Sequence, residues 1–582
     1  MIDKITSKLE QSPEWIISFG VFSIFCLVNI SYTGPTVLND EIGYLSNASL
    51  IAGYVVDGAS KYHAGYSFFL APLFRLFSEP ILIWKAAMIL NALIWATSFL
   101  LLASILRKLA PEYTNKQIFH ALLISALYPA WITMSGYVFC TTGFVFVYLF
   151  SVLTFLNWNP DKIWTILPPS LAIGYLYWIH PIGLAVCVAS FIFVSFVSLR
   201  ERKYVPLLLH CSVLVVLSLT YKQVIEHWLV LLATAENQSP AYHHYPSSER
   251  IFKGLFAFHY WLEVATKAAG QMSYLIISSF GFILFGFISS IKKVASLNKE
   301  NNSDNSIVNS VYLYLVLSLM GATAMGVLFF SLGTSTRIDQ WIYGRYAEMV
   351  VLPLIPLGYL VFQNKKVLLI ATFGTIVTGY FLNQIIDLSI PNLSCNIPAF
   401  WPQSIISNSN YFYWMVIGSI LIILIYLIRS YNKWTNITGT ILICIIFVFT
   451  IIDQFSIHMA RINTLGTPSE FVEIIRYNYP PGTSVGVGPR DLGHISSDRR
   501  TQKFNLHLFH LYDYNYRRMS YNEWLSTGDG PYLTFDLDGL EEHEGIKLLE
   551  VDLLANMYMI IRNDDDFNIP KSIDMQFIEF ID

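Results

Sequence analysis

The chain has 582 residues, of which 54% are hydrophobic and only 13% are charged, and its formal net charge at pH 7 is -4. Soluble domains have about 25% charged residues, so this composition excludes an ordinary soluble protein and indicates a polytopic membrane protein. Lysines and arginines form short clusters rather than one basic face, so we expect no nucleic-acid partner.

Apolar segments long enough to span a bilayer, about 17 to 25 residues each, recur from Trp15 to Thr450. The fold class that they predict is a mainly α polytopic membrane protein with about thirteen transmembrane helices. These helices are expected near residues 15–32, 80–106, 117–135, 138–157, 163–179, 182–199, 204–231, 270–290, 309–333, 347–363, 367–386, 411–428 and 437–457.

Positive residues are concentrated in every second connection between these segments, starting with Lys4 and Lys8. Because cytoplasmic loops retain lysine and arginine, we predict a cytoplasmic N-terminus in a multi-pass plasma (inner) membrane protein of bacterial type. An odd number of spans then places the first loop, residues 33–79, outside the membrane together with everything after residue 457.

The polar C-terminal region alternates helix and strand patterns. A helix is predicted at 469–477, and strands are predicted at 483–487, 546–551 and 557–561. We therefore divide the chain into a transmembrane domain, residues 1–457, and a small extracytoplasmic α/β domain, residues 458–582.

An acidic pair, Asp40-Glu41, opens the first outer loop. Asn39 or Asp40 can cap a helix that begins at Glu41, and its partly amphipathic pattern predicts that the helix lies flat at the membrane surface. Neighbouring side chains on a helix diverge by about 100°. One carboxylate can thus act as a general base while the other orients a substrate or a basic partner; a helix cap followed by a dipole-stabilised glutamate explains the pair about as well.

Arg345 lies at the outer mouth of the tenth predicted span, within Gly344-Arg345-Tyr346. Its planar guanidinium stays charged and can bind a phosphate bidentately, although an arginine that reaches towards lipid headgroups is the simpler interpretation. Glu348, one helical turn away, is predicted to be its ion-pair partner.

Further candidates lie on the same predicted side of the membrane. A lysine or histidine near the acidic pair could neutralise a phosphate, and histidines among aromatic residues could line a sugar site, although solvated loops and membrane interfaces contain the same residues. These candidates are Lys61, His63, Lys85, His180, His243, His244 and Tyr346. No Cys or His spacing predicts a metal site. The cofactor is left open, because the sequence allows a divalent metal but does not require one.

The order of these features resembles a known family. An outer loop opens with Asn39-Asp40-Glu41, a Gly-Tyr-x-x-x-Leu-Ala-Pro segment at residues 65–72 returns to the bilayer, and Gly344-Arg345-Tyr346 follows many spans later. This arrangement resembles the GT-C superfamily of membrane glycosyltransferases, in particular the branch similar to protein O-mannosyltransferases and to the bacterial transferase that adds aminoarabinose to lipid A. The resemblance implies a GT-C-like fold and inverting transfer of a sugar from a polyprenyl-phosphate-linked donor to a hydroxyl of a glycolipid, polysaccharide or protein.

The resemblance also implies roles for the residues. Asp40 would activate the acceptor and Glu41 would shape the site. Arg345, with Lys61 or His63, would hold the departing lipid phosphate. Apart from the resemblance, the residue types themselves suggest substrate contacts for Tyr346, His243, His244, His180 and Lys85.

The chain departs from the family at two places. Many relatives carry an acidic residue in the second outer turn, whereas residues 136–142 have none, which puts a metal-assisted variant in doubt. Relatives often have an arginine where His180 stands. Two alternatives remain open. The first is an O-antigen polymerase or ligase; such enzymes use arginines and histidines in a late outer loop, but residues 387–410 of this chain lack Lys, Arg and His. The second is a polysaccharide or lipid transporter, for which internal repeats or charged residues at mid-membrane are expected.

Overall fold

The computed structural model describes most of the chain. The described residues are 13–32, 34–35, 39–54, 62–232, 254, 256–296, 306–332, 338–362, 365–383, 397, 399, 411–431, 433–465, 470–488, 506–507, 509–527, 530–534, 546–552, 557–562 and 580–581.

Helices make up most of the described structure. In chain order they are α1 (Pro13–Ile30), α2 (Asn39–Ala52), α3 (Gly65–Leu76), α4 (Pro80–Leu109), α5 (Asn115–Ala126), α6 (Pro129–Ser135), α7 (Thr141–Leu156), α8 (Leu167–Ile179), α9 (Gly183–Glu201), α10 (Val205–Thr220), α11 (Glu226–Leu232), α12 (Phe258–Ser278), α13 (Phe282–Ser296), α14 (Ser306–Leu332), α15 (Arg345–Val351), α16 (Leu354–Val361), α17 (Lys365–Leu382), α18 (Tyr411–Tyr431), α19 (Lys433–Leu465), α20 (Glu470–Asn478) and α21 (Tyr521–Thr527). A π-helical turn, Tyr221–Ile225, joins α10 to α11.

Every predicted span overlaps a helix or a pair of helices. Among the described residues, seven helices are long and apolar enough to cross a membrane, or up to nine if each of two bent pairs forms one span, and three shorter apolar helices accompany them. Large apolar side chains such as Phe19, Leu93 and Phe373 stay exposed on the outside of these helices, as expected for surfaces that face lipid. The chain is a multi-pass membrane protein, and the predicted number of thirteen spans is not confirmed.

Two of the predicted spans are bent sharply. The pair α12 and α13 meets at 107°, and the pair α5 and α6 meets at 52°. At the first bend Phe280 and Gly281 have φ angles of 51° and 83°, and the Gly281 N–H donates to the Ile276 carbonyl at 2.7 Å. This left-handed closure ends α12, because glycine adopts positive φ at little cost. At the second bend, Pro129 sets the start of α6.

Helix α2, which carries the acidic pair, is buried rather than superficial. Its residues Glu41 and Ala48 are 0% exposed and Leu50 is 1% exposed, and the helix packs against α3. Protein therefore covers almost every side of α2 and leaves little of its surface for lipid headgroups, and the expectation that it lies flat at the membrane surface stays a prediction.

The C-terminal region contains a six-stranded mixed sheet. Its strands are β1 (Ser484–Val487), β2 (Asn515–Arg518), β3 (Tyr532–Thr534), β4 (Ile546–Asp552), β5 (Met557–Arg562) and β6 (Phe580–Ile581), arranged in the order β2-β1-β3-β5-β4-β6. Strand β1 pairs in parallel with β2 and β3, whereas β3, β5, β4 and β6 pair antiparallel. The predicted helix and three predicted strands are confirmed as α20, β1, β4 and β5; strands β2, β3 and β6 were not predicted.

This region is in contact with the first loop. The Tyr512 hydroxyl donates to the Ser78 carbonyl at 2.9 Å, and its ring packs edge-on against Tyr54 and Phe74. The sheet region thus contacts the C-terminal ends of α2 and α3, which lie side by side. Helix α19 runs on to Leu465, past the predicted domain boundary at residue 457.

Candidate active site

Asp40 and Arg345 are 305 residues apart in the chain, yet their side chains form a direct ion pair in which an Arg345 Nη donates to Asp40 Oδ2. The Tyr62 hydroxyl donates to the other carboxylate oxygen at 2.6 Å. The Asp40 side chain is 25% exposed, whereas the Arg345 side chain is 4% exposed. The fold therefore brings the predicted base and the predicted cation together at a place that solvent can reach.

The two acidic neighbours point to different partners. Glu41 is fully buried, and its Oε1 accepts a hydrogen bond from the Val138 backbone N–H at 2.9 Å. Asp40 instead points to Arg345 and Tyr62. As expected for consecutive residues in a helix, the carboxylates diverge, and Glu41 contacts the turn between α6 and α7.

Arg345 is the first residue of α15, and its guanidinium lies over the Phe139 ring, 4.2 Å from the centroid. Glu348 Oε1 accepts hydrogen bonds from the Tyr274 hydroxyl at 2.5 Å and the Tyr128 hydroxyl at 3.1 Å. The prediction that Glu348 pairs with Arg345 is therefore wrong. Two tyrosines hold Glu348, and within the described part of the chain Asp40 is the carboxylate that accepts from Arg345.

Gly344 allows the segment before Arg345 to approach Tyr274. A Cβ at this position would overlap the Tyr274 ring. Gly344→Ala is thus expected to destabilise the protein by about 1–3 kcal/mol through overpacking and to lower transfer activity by displacing Arg345. Gly374→Ala is the matched control, because a Cβ there meets nothing within 4 Å and alanine is favoured over glycine inside a helix. Equal thermal unfolding midpoints for the two variants would contradict this explanation.

His63 directly follows Tyr62, which contacts the ion pair, but His63 does not act as a cation. Its Nδ1 is 2.5 Å from the Tyr177 carbonyl oxygen, and since a carbonyl can only accept, Nδ1 carries the proton. Its ring stacks on Tyr221 of the π-helical turn with centroids 4.6 Å apart. Burial lowers the pKa of the imidazole to about 4. The prediction that His63 holds a phosphate by its charge is therefore wrong at neutral pH.

His180 lies in the turn between α8 and α9. Its Nδ1 accepts from the Ile182 backbone N–H at 3.1 Å, and its ring centroid is 5.1 Å from that of Tyr346. Burial lowers the pKa of His180 to about 3, and the nearby positive charge of Arg345 also contributes. His180 is thus a neutral neighbour of the ion pair.

These two histidines predict a pH dependence of stability. In the unfolded chain each has a pKa near 6.5, so the unfolded state binds protons that the folded state does not. The free energy of unfolding is expected to fall as the pH drops from about 6.5 towards 4.

The double variant His63→Asn, His180→Asn lacks both titrations but retains side-chain groups able to replace the Nδ1 hydrogen bonds. Its thermal unfolding midpoint in detergent is expected to fall less than that of the wild type between pH 7.5 and 4.5. Parallel curves for the two proteins would refute the assignment.

The other predicted residues fall into two groups. Lys85 is on the exposed side of α4, next to the buried Ile83 and Trp84, and no described contact joins it to the ion pair. Lys61, His243 and His244 lie outside the described residues. Among the residues that are described, no group of three or more His, Cys, Asp or Glu side chains could hold a metal ion.

Sequence reasoning missed Tyr62 and Phe139. Tyr62 follows Lys61 directly, but nothing distinguishes it among 35 tyrosines. Phe139 lies in the turn of residues 136–142, where the sequence was compared with relatives only for the absence of an acidic residue. Each contacts the ion pair through tertiary structure.

The structure resembles that of ArnT from Cupriavidus metallidurans, solved in the apo state and bound to undecaprenyl phosphate. Both matches have a TM-score of 0.51 and 12% identity and cover 94% of this chain and 97% of that chain. The oligosaccharyltransferase of Archaeoglobus fulgidus matches with a TM-score of 0.40 and 10% identity over 95% of this chain and 75% of that chain. No family model and no curated protein matches the sequence. The chain therefore has the fold of ArnT, and the structural resemblance predicted from the motifs around Asp40 and Arg345 is confirmed.

Proposed function

We propose that this protein transfers a sugar from a polyprenyl-phosphate-linked donor to a hydroxyl of a glycolipid, polysaccharide or protein at the outer face of the membrane, with inversion. The observation that carries the proposal is the ion pair between a partly exposed Asp40 and a buried Arg345. It lies in a fold shared with ArnT, whose structure holds undecaprenyl phosphate. A carboxylate can accept a proton, and a guanidinium can bind a phosphate.

In the proposed step the acceptor oxygen attacks the anomeric carbon, and the bond from that carbon to the phosphate oxygen breaks. Polyprenyl phosphate leaves with the bonding electrons, and the proton of the acceptor hydroxyl passes to Asp40. Negative charge grows on the phosphate in the transition state, so a fixed guanidinium at Arg345 lowers the barrier. Because Arg345 donates to Asp40 in the structure, the phosphate has to compete with this carboxylate.

Our proposal retains the predicted arrangement in the membrane. The N-terminus is cytoplasmic, residues 1–457 form the transmembrane domain with a catalytic first loop at 33–79, and residues 458–582 form an extracytoplasmic domain. The contact of Tyr512 with Ser78 and Phe74 supports this arrangement, because it joins the C-terminal region to the first loop, which also carries Asp40.

The experiment is a transfer assay with the purified protein in lipid vesicles. Synthetic polyprenyl-phosphate sugars are offered with lipid, glycan and peptide acceptors, and the products are analysed for a new glycosidic bond. We expect an inverted anomeric centre and one polyprenyl phosphate released per bond. Movement of lipid or polysaccharide across the vesicle without any new bond would overturn the proposal in favour of a transporter.

A further inference from the structure

The turn of residues 136–140, between α6 and α7, is held at two consecutive residues. The Asn91 side-chain amide donates to the Tyr137 carbonyl at 3.0 Å, and the Val138 N–H donates to Glu41 at 2.9 Å. Asn91, Glu41 and Val138 are all 0% exposed. Two buried hydrogen bonds therefore fix the backbone directly before Phe139.

The Phe139 side chain is itself packed firmly. It is 0% exposed, and its ring stacks on Tyr137 with centroids 4.8 Å apart and an interplanar angle of 5°. The Tyr137 ring in turn meets His458 of α19 edge-on at 4.5 Å. The Phe139 ring is thus packed against Tyr137, which is packed against His458. The Arg345 guanidinium lies over the Phe139 ring, 4.2 Å from its centroid.

A cation over an aromatic face is attracted by the ring quadrupole, and the attraction is larger where water is excluded. Coverage of one guanidinium face leaves the in-plane N–H groups of Arg345 for hydrogen bonding. One of these groups donates to Asp40. Within the described part of the chain, the buried Nε of Arg345 has no hydrogen-bond partner, so a further in-plane donor remains for an anion.

We propose that Phe139 is a positioning residue that holds the Arg345 guanidinium in the plane required to bind the donor phosphate, and that Glu41 acts through the same turn. The two acidic neighbours then serve one cation by different routes: Asp40 binds Arg345 directly, and Glu41 fixes the turn on which Arg345 rests. The phosphate role rests on the proposed function, whereas the contact itself does not.

The test removes the aromatic face without removing the bulk. Phe139→Leu is expected to weaken binding of undecaprenyl phosphate about 10-fold and to raise KM for the lipid-linked donor by a similar factor, with a smaller change in kcat. The matched control is Phe155→Leu, since Phe155 is also fully buried in α7 and packs on Phe193 at 4.7 Å. This control is expected to lose stability but to keep its lipid-phosphate affinity.

A second variant separates a cation interaction from packing. Replacement of Phe139 by 3,4,5-trifluorophenylalanine keeps the ring and most of its shape but weakens its quadrupole, so affinity for undecaprenyl phosphate is expected to fall several-fold. In an Arg345→Gln background, Phe139→Leu is expected to cause no further loss of affinity, because the two residues act as a unit.

Three results would overturn the positioning role: unchanged affinity in folded Phe139→Leu, unchanged affinity on fluorination, or an additive loss in the Arg345→Gln background. A different result would show that the proposed transferase function is wrong while the role of Phe139 is right. If the wild type binds undecaprenyl phosphate and the Phe139 variants weaken that binding, but no sugar is transferred, the transferase proposal fails and the role of Phe139 in phosphate binding stands.

Discussion

Asp40→Asn is expected to reduce sugar transfer by about 10²–10⁴-fold while the protein remains folded, because the amide cannot take the proton of the acceptor hydroxyl. The substitution preserves size: the amide oxygen can still accept from Arg345, and the amide NH₂ can donate to the Tyr62 hydroxyl oxygen. The effect should therefore fall on kcat rather than on stability. Initial rates of transfer from a lipid-linked donor, measured with the thermal unfolding midpoint of each sample, check this expectation.

A second aspartate provides the matched control. Asp513 accepts from Arg476 at 2.9 Å, and its side chain is 15% exposed, so Asp513→Asn also removes one partly buried ion pair. Its transfer rate is expected to stay within a few-fold of the wild type, because ion pairs of this kind contribute mainly to local stability. A fully active Asp40→Asn would show that Asp40 only caps and anchors α2.

Arg345→Gln is expected to lower kcat/KM for the lipid-linked donor by about 10²–10³-fold, the loss typical of removing a group that stabilises developing negative charge. Arg345→Lys restores the charge but not the planar fork. Lysine also lacks a flat face to lie over Phe139. We therefore expect the lysine variant to recover only part of the activity, and steady-state kinetics with varied donor concentration measure this recovery.

Arg476→Gln controls for the loss of a partly buried arginine elsewhere, since Arg476 pairs with Asp513. Its kcat/KM is expected to remain close to that of the wild type. If Arg345→Lys matched the wild type instead, a point charge would suffice at this position, and the planar, Phe139-supported geometry would have no role in catalysis.

The helices were predictable for physical reasons, and so was the presence of Asp40 and Arg345 in one site, but their ion pair was not. Long apolar runs predict membrane helices because the bilayer sets a minimum length, and all the predicted runs overlap helices. The pairing of Asp40 with Arg345 was less direct. Alternating positive loops placed both residues on one side of the membrane, but the sequence paired Arg345 with Glu348, because a residue one turn away is the default partner on a helix.

What the sequence could not predict depends on burial and tertiary packing. The pattern of α2 looked partly amphipathic, yet the fold covers almost every face of the helix. The charge state of His63 follows from its burial and its contact with the Tyr177 carbonyl, and a loop histidine shows neither in sequence. Phe139 reaches Arg345 across 206 positions of the chain, so no local pattern signals the contact.

The most direct measurement of the central claim is the affinity for undecaprenyl phosphate of the wild type, Asp40→Asn and Arg345→Gln. If Arg345 binds the phosphate and Asp40 is the base, Arg345→Gln weakens binding by about 10-fold or more. Asp40→Asn then binds at least as tightly as the wild type, because a neutral amide competes for the guanidinium less than the carboxylate does, although its sugar transfer is about 10²–10⁴-fold slower. Equal weakening by both substitutions, or no change in either, would contradict the division of roles between Asp40 and Arg345.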